Sequence, residues 1–581
     1  MDIGAANTLA ARALVAGLAA SGVRHACITP GSRSTPLTVA FAEQHAVRPW
    51  LHLDERSAAF FALGLARAAE EPVALVCTSG TAVANWMPAV VEANLSRIPL
   101  VLLTADRPPA LRDRGAAQTM DQPSIFGSQV RWTLDLPLPA GDSKDRLRFE
   151  SFSRRAVQRS LAPLPGPVHL NVPFDEPLMA GPANHAAPET VLPGRLHRTP
   201  AVTPNDELDA AAEALRGSAR PLIVAGPETG GLPTWAICQL ARGIGAPILA
   251  DGLSGLRTGD HDRSQVLDSF DAVIRDKRVA SLRPDAIIQF GGPPTSKALN
   301  GLLTQCHGLP YVLCDLPGGF RDPNNAASHL VFGSADGVAD GLAARLDTAG
   351  SEPGWLDSWL AADVRARGAL QSGIAGSTEA FEGRVFTELQ SLLPAGSTIF
   401  AGNSMPVRDL DSFITSDSKR IEMVSNRGAN GIDGVVSSAL GAAAIAREPV
   451  VLVIGDVSFY HDMNGLWAAK RHGLNLTVVL VNNNGGGIFH YLPQAAHPEL
   501  FEEWFGTPPD LDFRHAADLY GAHYTIAHDW PAFQSAVTAG LAGGGLTIVE
   551  VPTDRALNAT LHQRLWASAA DAVFETAEAL A

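Results

Sequence analysis

The sequence predicts an α/β protein with three doubly wound, mostly parallel sheets, and three observations indicate this fold class. Apolar runs typical of buried strands alternate with helix-like segments along the 581 residues, as in sheets that carry helices on both faces. Polar or glycine-rich residues follow many of these runs. The two ends of the chain also resemble each other at a fixed offset. We expect domains over residues 1–185, 186–360 and 361–581, since this length suits roughly three or four domains.

Composition argues against several classes of function. The hydrophobic fraction is 46%, as in globular proteins. The formal net charge of −16 argues against nonspecific binding to nucleic acid or anionic membranes, which needs basic surfaces. The five cysteines are scattered without a CxxC pair, which fits a reducing compartment better than a disulfide framework or a zinc site.

The alanine-rich N-terminus raises the question of a signal peptide. It carries Asp2 in place of a basic leader, and Arg12 interrupts its apolar stretch, so an amphipathic first helix is the better interpretation. The sequence contains no run of about 18 or more uninterrupted apolar residues, so we predict no membrane-spanning helix. We therefore expect a cytoplasmic protein.

Polar segments recur at the ends of the predicted strands. In the N-terminal third they include residues 30–36, Glu55, residues 78–81 and Arg107. One predicted strand begins at Trp50, and the others span residues 25–29, 72–77, 100–103, 222–225, 286–290, 311–314, 397–401, 450–454, 476–481 and 547–551.

The middle of the chain is less specific. Residues 163–177 and a second proline-rich segment through Pro204 are typical of a domain exit and a linker. No GxGxxG follows the central strands, so we predict a third α/β domain without a nucleotide site. A predicted helix over residues 355–370 leads into the last domain.

A shift of 377 residues aligns the two ends of the chain without a gap. It places residues 62–64 on 439–441, both Ala-Leu-Gly, and residues 71–73 on 448–450, both Glu-Pro-Val. Matches of small and apolar residues are common in alanine-rich helices, but their shared register indicates two similar α/β domains.

The same shift pairs residues of different chemistry. Glu55 falls on Ile432, and Thr78-Ser79 falls on Gly455-Asp456. Each domain therefore carries polar groups that the other lacks. We infer that each holds half of one site.

The stretch from 455 to 487 carries the most specific polar pattern. Asp456 follows one apolar run, and Asn483 follows the next after a helix-like segment. Ligands bind outside the carboxyl ends of parallel strands, and hard oxygens there suit Mg²⁺ held together with a phosphate. The alternative is an ordinary strand–helix–strand unit with a turn aspartate and a polar loop.

This pattern resembles the diphosphate-binding motif of thiamine-diphosphate enzymes, with Val457 where glycine is usual. Further motifs extend the resemblance over nearly the whole chain: PGSRSTPL, DERSAAFFALGLA, TSGTAVAN, TADRPP, GNSMPVR, SNRGANGIDG and NNNGGGIF. They resemble the 2-succinyl-5-enolpyruvyl-6-hydroxy-3-cyclohexene-1-carboxylate synthases, thiamine-diphosphate enzymes of menaquinone biosynthesis. The resemblance implies pyrimidine-binding, central and diphosphate-binding domains, and a homo-oligomer (dimer or tetramer) whose active site lies between two subunits.

The resemblance also implies the cofactor contacts. Glu55 would be the acid that shares a proton with the aminopyrimidine; otherwise it is a strand-end or helix N-terminal glutamate. Asp456, Asn483 and the carbonyl of Gly485 would coordinate Mg²⁺ or Mn²⁺. Ile432 would be the aliphatic wedge that holds the cofactor bent, or simply a core residue. The other implied cofactor contacts are Gly455, Val457, Ser458, Ile488 and Phe489.

The family's substrates, 2-oxoglutarate and isochorismate, carry two carboxylates each, and cations in polar loops match that demand. Arginine can bind a carboxylate through two parallel hydrogen bonds, although any one of these cations could be a solvated or structural residue. The predicted substrate-binding residues are Arg33, Arg107, Lys297, Arg408 and Arg427. Arg33, Gln118 and Ser404 join Glu55 in the predicted catalytic set. Ala117 and Ala298 depart from the family pattern.

The implied reaction is decarboxylation of 2-oxoglutarate and conjugate addition of the succinyl-semialdehyde carbanion equivalent to isochorismate, catalysed by a transferase. Another thiamine-diphosphate enzyme, such as an acetolactate synthase or a 2-oxo acid decarboxylase, would need fewer cations. A noncatalytic α/β binding protein would not need Glu55 together with Asp456 and Asn483. A flavin- or nicotinamide-dependent oxidoreductase is the remaining alternative.

Overall fold

The computed structural model describes residues 2–142, 144–179, 201–347 and 350–578, with side chains described through residue 575. Its strands form three sheets of six, with parallel pairing. The predicted fold class is therefore confirmed. The expected boundary at residues 185 and 186 lies outside the described residues, and the three domain ranges stay a prediction.

The first sheet has the strand order β2-β1-β3-β4-β6-β5. Its strands are β1 (His25–Ile28), β2 (Arg48–Leu51), β3 (Val73–Cys77), β4 (Leu100–Asp106), β5 (Trp132–Asp135) and β6 (Val168–Pro173). Its helices are α1 (Ile3–Ala20), α2 (Thr35–Glu43), α3 (Glu55–Ala69), α4 (Thr81–Ala84), α5 (Met87–Leu95) and α6 (Asp145–Leu161). Strands β3 and β4 are buried at every residue, which explains their continuous apolar runs.

Two expectations for this region were wrong. The proline-rich segment 163–177 is not simply a linker, because it contains strand β6, which pairs with β4 and β5. The first helix forms as predicted but is not amphipathic, since it is buried on nearly every side against the core around Leu14, Phe41 and Phe149. By length and composition α1 could cross a membrane, yet 78% of it is buried inside the fold, as in a core helix.

The second sheet has the order β12-β11-β10-β7-β8-β9. Its strands are β7 (Pro221–Ala225), β8 (Ile248–Ala250), β9 (Val266–Leu267), β10 (Ala286–Phe290), β11 (Tyr311–Asp315) and β12 (His329–Phe332). Its helices are α7 (Asn205–Leu215), α8 (Thr234–Ile244), α9 (Phe270–Ile274), α10 (Lys297–Gln305), α11 (Ala335–Ala343) and α12 (Trp355–Ala375).

The third sheet has the order β14-β13-β15-β16-β18-β17. Its strands are β13 (Thr398–Ala401), β14 (Glu422–Val424), β15 (Val450–Gly455), β16 (Leu476–Asn482), β17 (His523–Ile526) and β18 (Leu546–Pro552). The helices of this part are α13 (Arg384–Leu392), α14 (Met405–Phe413), α15 (Val435–Ala443), α16 (Asp456–Asp462), α17 (Trp467–His472), α18 (Pro498–Phe501), α19 (Arg514–Tyr520), α20 (Trp530–Gly543) and α21 (Arg555–Glu578).

The first and third sheets have the same topology. When each sheet is renumbered from its own first strand, both read 2-1-3-4-6-5. Strand β3 begins at Val73 and β15 at Val450, a separation of 377 residues. The internal repeat inferred from the sequence is thus a repeat of the fold.

The described chain divides into two compact units. One comprises Met1–Thr199, Asn426–Arg447 and Tyr460–Leu476, so it combines the first sheet with helices α15 and α17. The other comprises Pro200–Ser425, Glu448–Phe459 and Thr477–Ala581, and contains the second and third sheets.

Helices α3 and α15 cross closely within the first unit, and glycines make the crossing possible. A Cβ on Gly64 would lie 1.9 Å from the carbonyl oxygen of Ser438, and one on Gly441 would lie 2.1 Å from that of Phe61. The Ala-Leu-Gly match between the repeats therefore marks the contact between these helices.

Candidate active site

Asp456 lies where β15 ends and α16 begins, and two backbone amides fix its carboxylate. Oδ1 accepts from Val457 N at 2.7 Å, and Oδ2 accepts from Gly485 N at 2.8 Å. Only 1% of Asp456 is exposed. Burial raises the pKa of Asp456 to about 6, although the backbone hydrogen bonds act to lower it. A cation beside this carboxylate would favour its ionised form.

Asn483 follows β16 and presents an unsatisfied acceptor. Its Nδ2 donates to Glu382 Oε1 at 2.8 Å. Within the described residues, Oδ1 of Asn483 is buried and has no hydrogen-bond partner. Buried polar atoms are rarely left without a partner, so this oxygen is available to a ligand.

Gly485 connects the loop after β16, which carries Asn483, to Asp456 at the start of α16. Its φ is +139°, and a Cβ there would lie 2.0 Å from the carbonyl oxygen of Gly506, so the position requires glycine. Its N–H donates to Asp456, and its carbonyl accepts from Gly487 N at 3.0 Å. A carbonyl oxygen has two lone pairs, so one remains for a metal.

These groups fit a magnesium ion bound together with a diphosphate. A carboxylate, an amide oxygen and a carbonyl are hard donors, and Mg²⁺ usually takes few protein ligands with substrate phosphates and water. No cluster of three or more His, Cys, Asp or Glu that could hold a metal occurs in the described part of the chain. A metal at Asp456 would therefore depend on the neutral oxygens of Asn483 and Gly485.

Five other predicted cofactor contacts lie at the carboxyl end of β15 or in the segments that follow β15 and β16. Ser458 is buried, whereas Gly455, Val457, Ile488 and Phe489 are half-buried. The Phe489 ring lies 5.6 Å from that of Phe505. The loop after β16 thus combines polar atoms at its start with an apolar surface further along.

Glu55 belongs to the first unit, where it is the first residue of α3. The side chain of Asp54 caps this helix by accepting from Ser57 N at 2.8 Å. Glu55 is half-buried, and burial raises the pKa of its carboxyl, with the nearby Asp54 adding to the rise. A glutamate with a raised pKa can hold and release a proton closer to neutral pH.

Arg107 contacts Gln118, which was predicted for the site, and Ser79, which lies in the polar segment after β3. Its Nη1 donates to Ser79 Oγ and to the carbonyl of Gln118, the latter at 3.0 Å, and its Nη2 donates to Gln118 Oε1 at 3.2 Å. Gln118 has a φ of +54°. The strand ends that the sequence marked as polar therefore meet at Arg107.

Arg33 is held by contacts with other residues. Its Nη1 donates to the carbonyl of Phe174 at 3.1 Å, and its Nη2 pairs with the exposed Glu176 at 2.8 Å. Burial lowers the pKa of Arg107, and the positive charge of Arg33 lowers it further. The positive charge of Arg33 thus acts on Arg107, and an anion bound at Arg107 would offset it.

A buried polar network behind Arg107 was not predicted from the sequence. Gln122 accepts from Gly80 N at 3.1 Å and donates to Asn171 Oδ1 at 2.8 Å. Asn171 donates to Asp106 Oδ2 at 3.0 Å, and Asp106 Oδ1 accepts from Arg107 N at 2.7 Å. Gln122, Asn171 and Asp106 are fully buried. Asn171 gave no sequence signal, because it lies in the segment interpreted as a linker.

The loop between Arg427 and Ile432 is held by Glu92, a residue that was also not predicted from the sequence. The buried Glu92 accepts from Gly428 N at 2.8 Å and from Ala429 N at 2.7 Å. Ile432 itself is half-buried. Glu92 is 336 residues from Gly428 along the chain, and sequence spacing gave no indication of this pairing.

The remaining predicted residues lie in the second unit. Ser404 has a φ of +69° and precedes α14, and Arg408 Nη1 donates to its carbonyl. Lys297 is exposed at the start of α10. No described hydrogen bond or ion pair links Lys297 to another predicted residue.

The structure therefore sorts the predicted residues into two groups. The first unit contains Glu55, Arg33, Arg107, Gln118, Arg427 and Ile432. The second unit contains Lys297, Ser404, Arg408, Gly455, Asp456, Val457, Ser458, Asn483, Gly485, Ile488 and Phe489. The first group contains Glu55 and three of the predicted substrate-binding cations. The second contains the predicted metal and diphosphate contacts together with Lys297, Ser404 and Arg408.

Comparison with known proteins agrees with this chemistry. The family model described as "Thiamine pyrophosphate enzyme, N-terminal TPP binding domain" matches residues 9–125, and "Thiamine pyrophosphate enzyme, C-terminal TPP binding domain" matches residues 414–551. These two matches cover Glu55 at one end of the chain and Asp456 with Asn483 at the other.

Three relatives carry the name 2-succinyl-5-enolpyruvyl-6-hydroxy-3-cyclohexene-1-carboxylate synthase. The protein of Geobacillus kaustophilus is 48% identical over 564 residues, covering 96% of each chain. That of Chloroflexus aurantiacus is 46% identical over 559 residues, covering 95% of each. That of Listeria innocua is 42% identical over 568 residues, covering 97% of each. Similarity at this level along nearly the full length means that the chain belongs to the 2-succinyl-5-enolpyruvyl-6-hydroxy-3-cyclohexene-1-carboxylate synthase family of thiamine-diphosphate-dependent enzymes.

Proposed function

We propose that the protein decarboxylates 2-oxoglutarate and adds the resulting four-carbon acyl-anion equivalent to isochorismate in a conjugate sense. The product would be 2-succinyl-5-enolpyruvyl-6-hydroxy-3-cyclohexene-1-carboxylate, on the route to menaquinone. The names of the three relatives support this product. A carbon–carbon bond forms and carbon dioxide leaves, so the enzyme is a transferase.

The contact between Arg107 and Gln118 is the observation that carries the choice of substrate. It places a guanidinium group beside an amide, and the positive charge of Arg33 also acts on Arg107. A carboxylate bound at Arg107 would be stabilised by this charge. Decarboxylases that act on small neutral acyl groups would need fewer such cations.

The cofactor site follows from the second unit. Asp456, Asn483 and the carbonyl of Gly485 would hold Mg²⁺ or Mn²⁺, and through it the diphosphate. Gly455, Val457 and Ser458 would line the diphosphate, and Ile432, Ile488 and Phe489 would enclose the rings. When bound, thiamine diphosphate supplies a thiazolium carbon that stabilises the carbanion chemistry of 2-oxo acids.

Glu55 would hold the proton that it shares with the aminopyrimidine ring. Its raised pKa suits that role, since a proton-transfer group works best with a pKa near the operating pH. Arg33, Gln118 and Ser404 would complete the catalytic set. Arg107, Arg408, Arg427 and Lys297 would bind the substrate carboxylates.

Assembly and location belong to the same proposal. We propose a homo-oligomer, dimeric or tetrameric, in which Glu55 of one subunit serves the metal–diphosphate site of another. We also propose that the enzyme works in the cytoplasm. All five cysteines are free and buried, which supports a reducing compartment. The domain ranges 1–185, 186–360 and 361–581 stay part of the proposal.

A reconstituted reaction tests the proposal. We expect purified protein with thiamine diphosphate, Mg²⁺, 2-oxoglutarate and isochorismate to consume isochorismate and form the named product, followed by mass spectrometry. Glu55→Gln should lower kcat by about 10²- to 10⁴-fold, the usual contribution of a proton-transfer group. Glu70→Gln, an exposed change at the other end of α3, is the matched control. No turnover by the wild type, or full activity of Glu55→Gln, would refute the proposed reaction.

A further inference from the structure

We propose that Glu382 is a positioning residue for the metal site, because it holds the Asn483 amide with its oxygen directed to the metal. This inference rests on the proposed function, in which Asn483 is a metal ligand. Glu382 lies just before α13 and has no part in the motifs that identified the site.

The contacts of Glu382 orient Asn483. Oε1 of Glu382 accepts from Asn483 Nδ2 at 2.8 Å and from Thr553 Oγ1 at 2.9 Å. The opposite end of the amide, Asn483 Oδ1, is the buried atom that lacks a partner among the described residues. One carboxylate oxygen thus binds the nitrogen and leaves the amide oxygen for a ligand.

This orientation matters because an asparagine amide is nearly symmetric in shape. Its oxygen accepts hydrogen bonds or binds a cation, whereas its NH₂ can only donate. If the amide were flipped, its NH₂ would point at the metal and one ligand would be lost. A carboxylate at the other end selects the useful orientation, because its Oε1 accepts and so attracts the NH₂.

The position of Glu382 argues for more than local packing. The residue is only 3% exposed, and burying a carboxyl group is costly unless its hydrogen bonds compensate. Its backbone N–H also donates to Asn558 Oδ1 at 3.2 Å. Glu382 therefore joins the loop after β16, the loop after β18 and the first turn of α21.

Manganese affinity measures the proposed role directly. The Mn²⁺ dissociation constant, measured by electron paramagnetic resonance with thiamine diphosphate present, should rise about 10- to 100-fold in Glu382→Leu, as for other groups that orient metal ligands. Glu382→Gln keeps an acceptor oxygen for Asn483 and should stay within about threefold of wild type. Glu379→Leu, an exposed change in the same segment, should leave the affinity unaltered.

A double-mutant cycle separates positioning from a general structural role. The effect of Glu382→Leu on Mn²⁺ affinity should largely disappear in an Asn483→Ala background, where no amide remains to be oriented. A structural role alone would weaken binding equally in both backgrounds, and that result would overturn the inference.

Two outcomes distinguish failure of this inference from failure of the proposed function. If Asn483→Ala binds Mn²⁺ as tightly as wild type, the proposed metal site is wrong and the inference fails with it. If Asn483→Ala weakens binding but Glu382→Leu does not, only the role of Glu382 is wrong.

A reversed hydrogen bond keeps the inference testable if Glu382→Leu does not fold. Asn483→Asp alone places two carboxyl groups together, which disfavours ionisation of one of them, and we expect weaker Mn²⁺ binding. Adding Glu382→Gln supplies an NH₂ that can donate to the new carboxylate, and it should restore binding. No restoration in the folded double variant would overturn the proposal.

Discussion

Arg107 shows how one residue can depend on several distant ones. Its side chain contacts Ser79 and Gln118, and its backbone N–H binds Asp106, which in turn binds Asn171. A guanidinium held at several points can present a fixed pair of donors to a carboxylate. The specificity of the site is therefore expected to depend on geometry as well as charge.

Replacing Arg107 by lysine tests that expectation. Arg107→Lys keeps the positive charge but loses the fork of donors, so kcat/KM for 2-oxoglutarate should fall about 10- to 100-fold, the worth of a charged hydrogen bond. Arg114→Lys, an exposed change in the same loop, is the matched control. Steady-state kinetics on both variants would show whether a positive charge at position 107 is sufficient for substrate binding. If Arg107→Lys and Arg114→Lys had equal activities, charge alone would be sufficient.

Helix α21 illustrates stabilisation at the scale of an element. His562 on this helix is fully buried, and its Nε2 lies 2.7 Å from Asp409 Oδ1 on α14. Phe381 and Phe413 pack against the imidazole at centroid distances of 4.7 and 5.5 Å. Burial alone would lower the pKa of His562, but the adjacent Asp409 outweighs it and the pKa is raised. The ion pair thus connects α21 to α14.

The contribution of His562 to the free energy of unfolding should decrease as pH rises. Because the folded pKa exceeds the unfolded value of about 6.5, the stabilisation is complete below pH 6.5 and is lost as pH rises through the folded pKa. His562→Ala should lower the free energy of unfolding by about 3–5 kcal/mol at pH 6, the cost of breaking a buried pair. The loss should shrink towards pH 9 in denaturant titrations.

A second buried histidine provides the matched control. Burial lowers the pKa of His169 to about 3, so this side chain is neutral in the folded state throughout the range tested. The destabilisation caused by His169→Ala should stay constant above pH 6.5 and decrease below it, because only the unfolded chain gains a proton there. If the two variants had the same pH profile, the charge assigned to His562 would be wrong.

At the scale of the whole molecule, the repeated topology suggests how the site is assembled. The first and third sheets have the same strand order, but one copy carries Glu55 and the other Asp456 and Asn483. Duplicated domains that diverge in this way can divide one site between two copies of a chain. A closed homo-oligomer would then contain equivalent sites.

Mixing two inactive variants tests this arrangement. Glu55→Gln and Asp456→Ala homo-oligomers should each be nearly inactive. If Glu55 serves a partner's metal site, a mixed dimer contains one intact and one doubly altered site, so random re-assortment should restore about a quarter of wild-type activity. The two variants should be unfolded and refolded together, and their activity compared with that of each variant refolded alone. Recovery of activity in the mixture would show that Glu55 and Asp456 of one site come from different subunits. No recovery in verified mixed oligomers would place both residues of each site in one subunit.

Strands with continuous apolar runs were predictable, whereas several edge strands and one strand with an interrupted apolar pattern were not. Strands β3, β4, β15 and β16 are buried along nearly their whole length, so continuous apolar sequence identified them. The edge strands β12, β14 and β17 have three or four partly exposed residues, and no such run marks them. Strand β6 was missed because prolines flank it and His169 and Asn171 interrupt its apolar pattern.

The sequence by itself determined the fold class and the internal repeat, and it indicated the residues proposed for the site. Strand ends, periodicity and motif spacing are local properties, and they indicated Glu55, Asp456 and Asn483 without coordinates. Only the tertiary structure revealed Glu92 and Glu382. Their partners lie 336 and 101 residues away along the chain, and a buried glutamate has no local signature of its own. Chain spacing can indicate a candidate metal ligand such as Asn483, but only folding brings the Glu382 carboxylate to its amide.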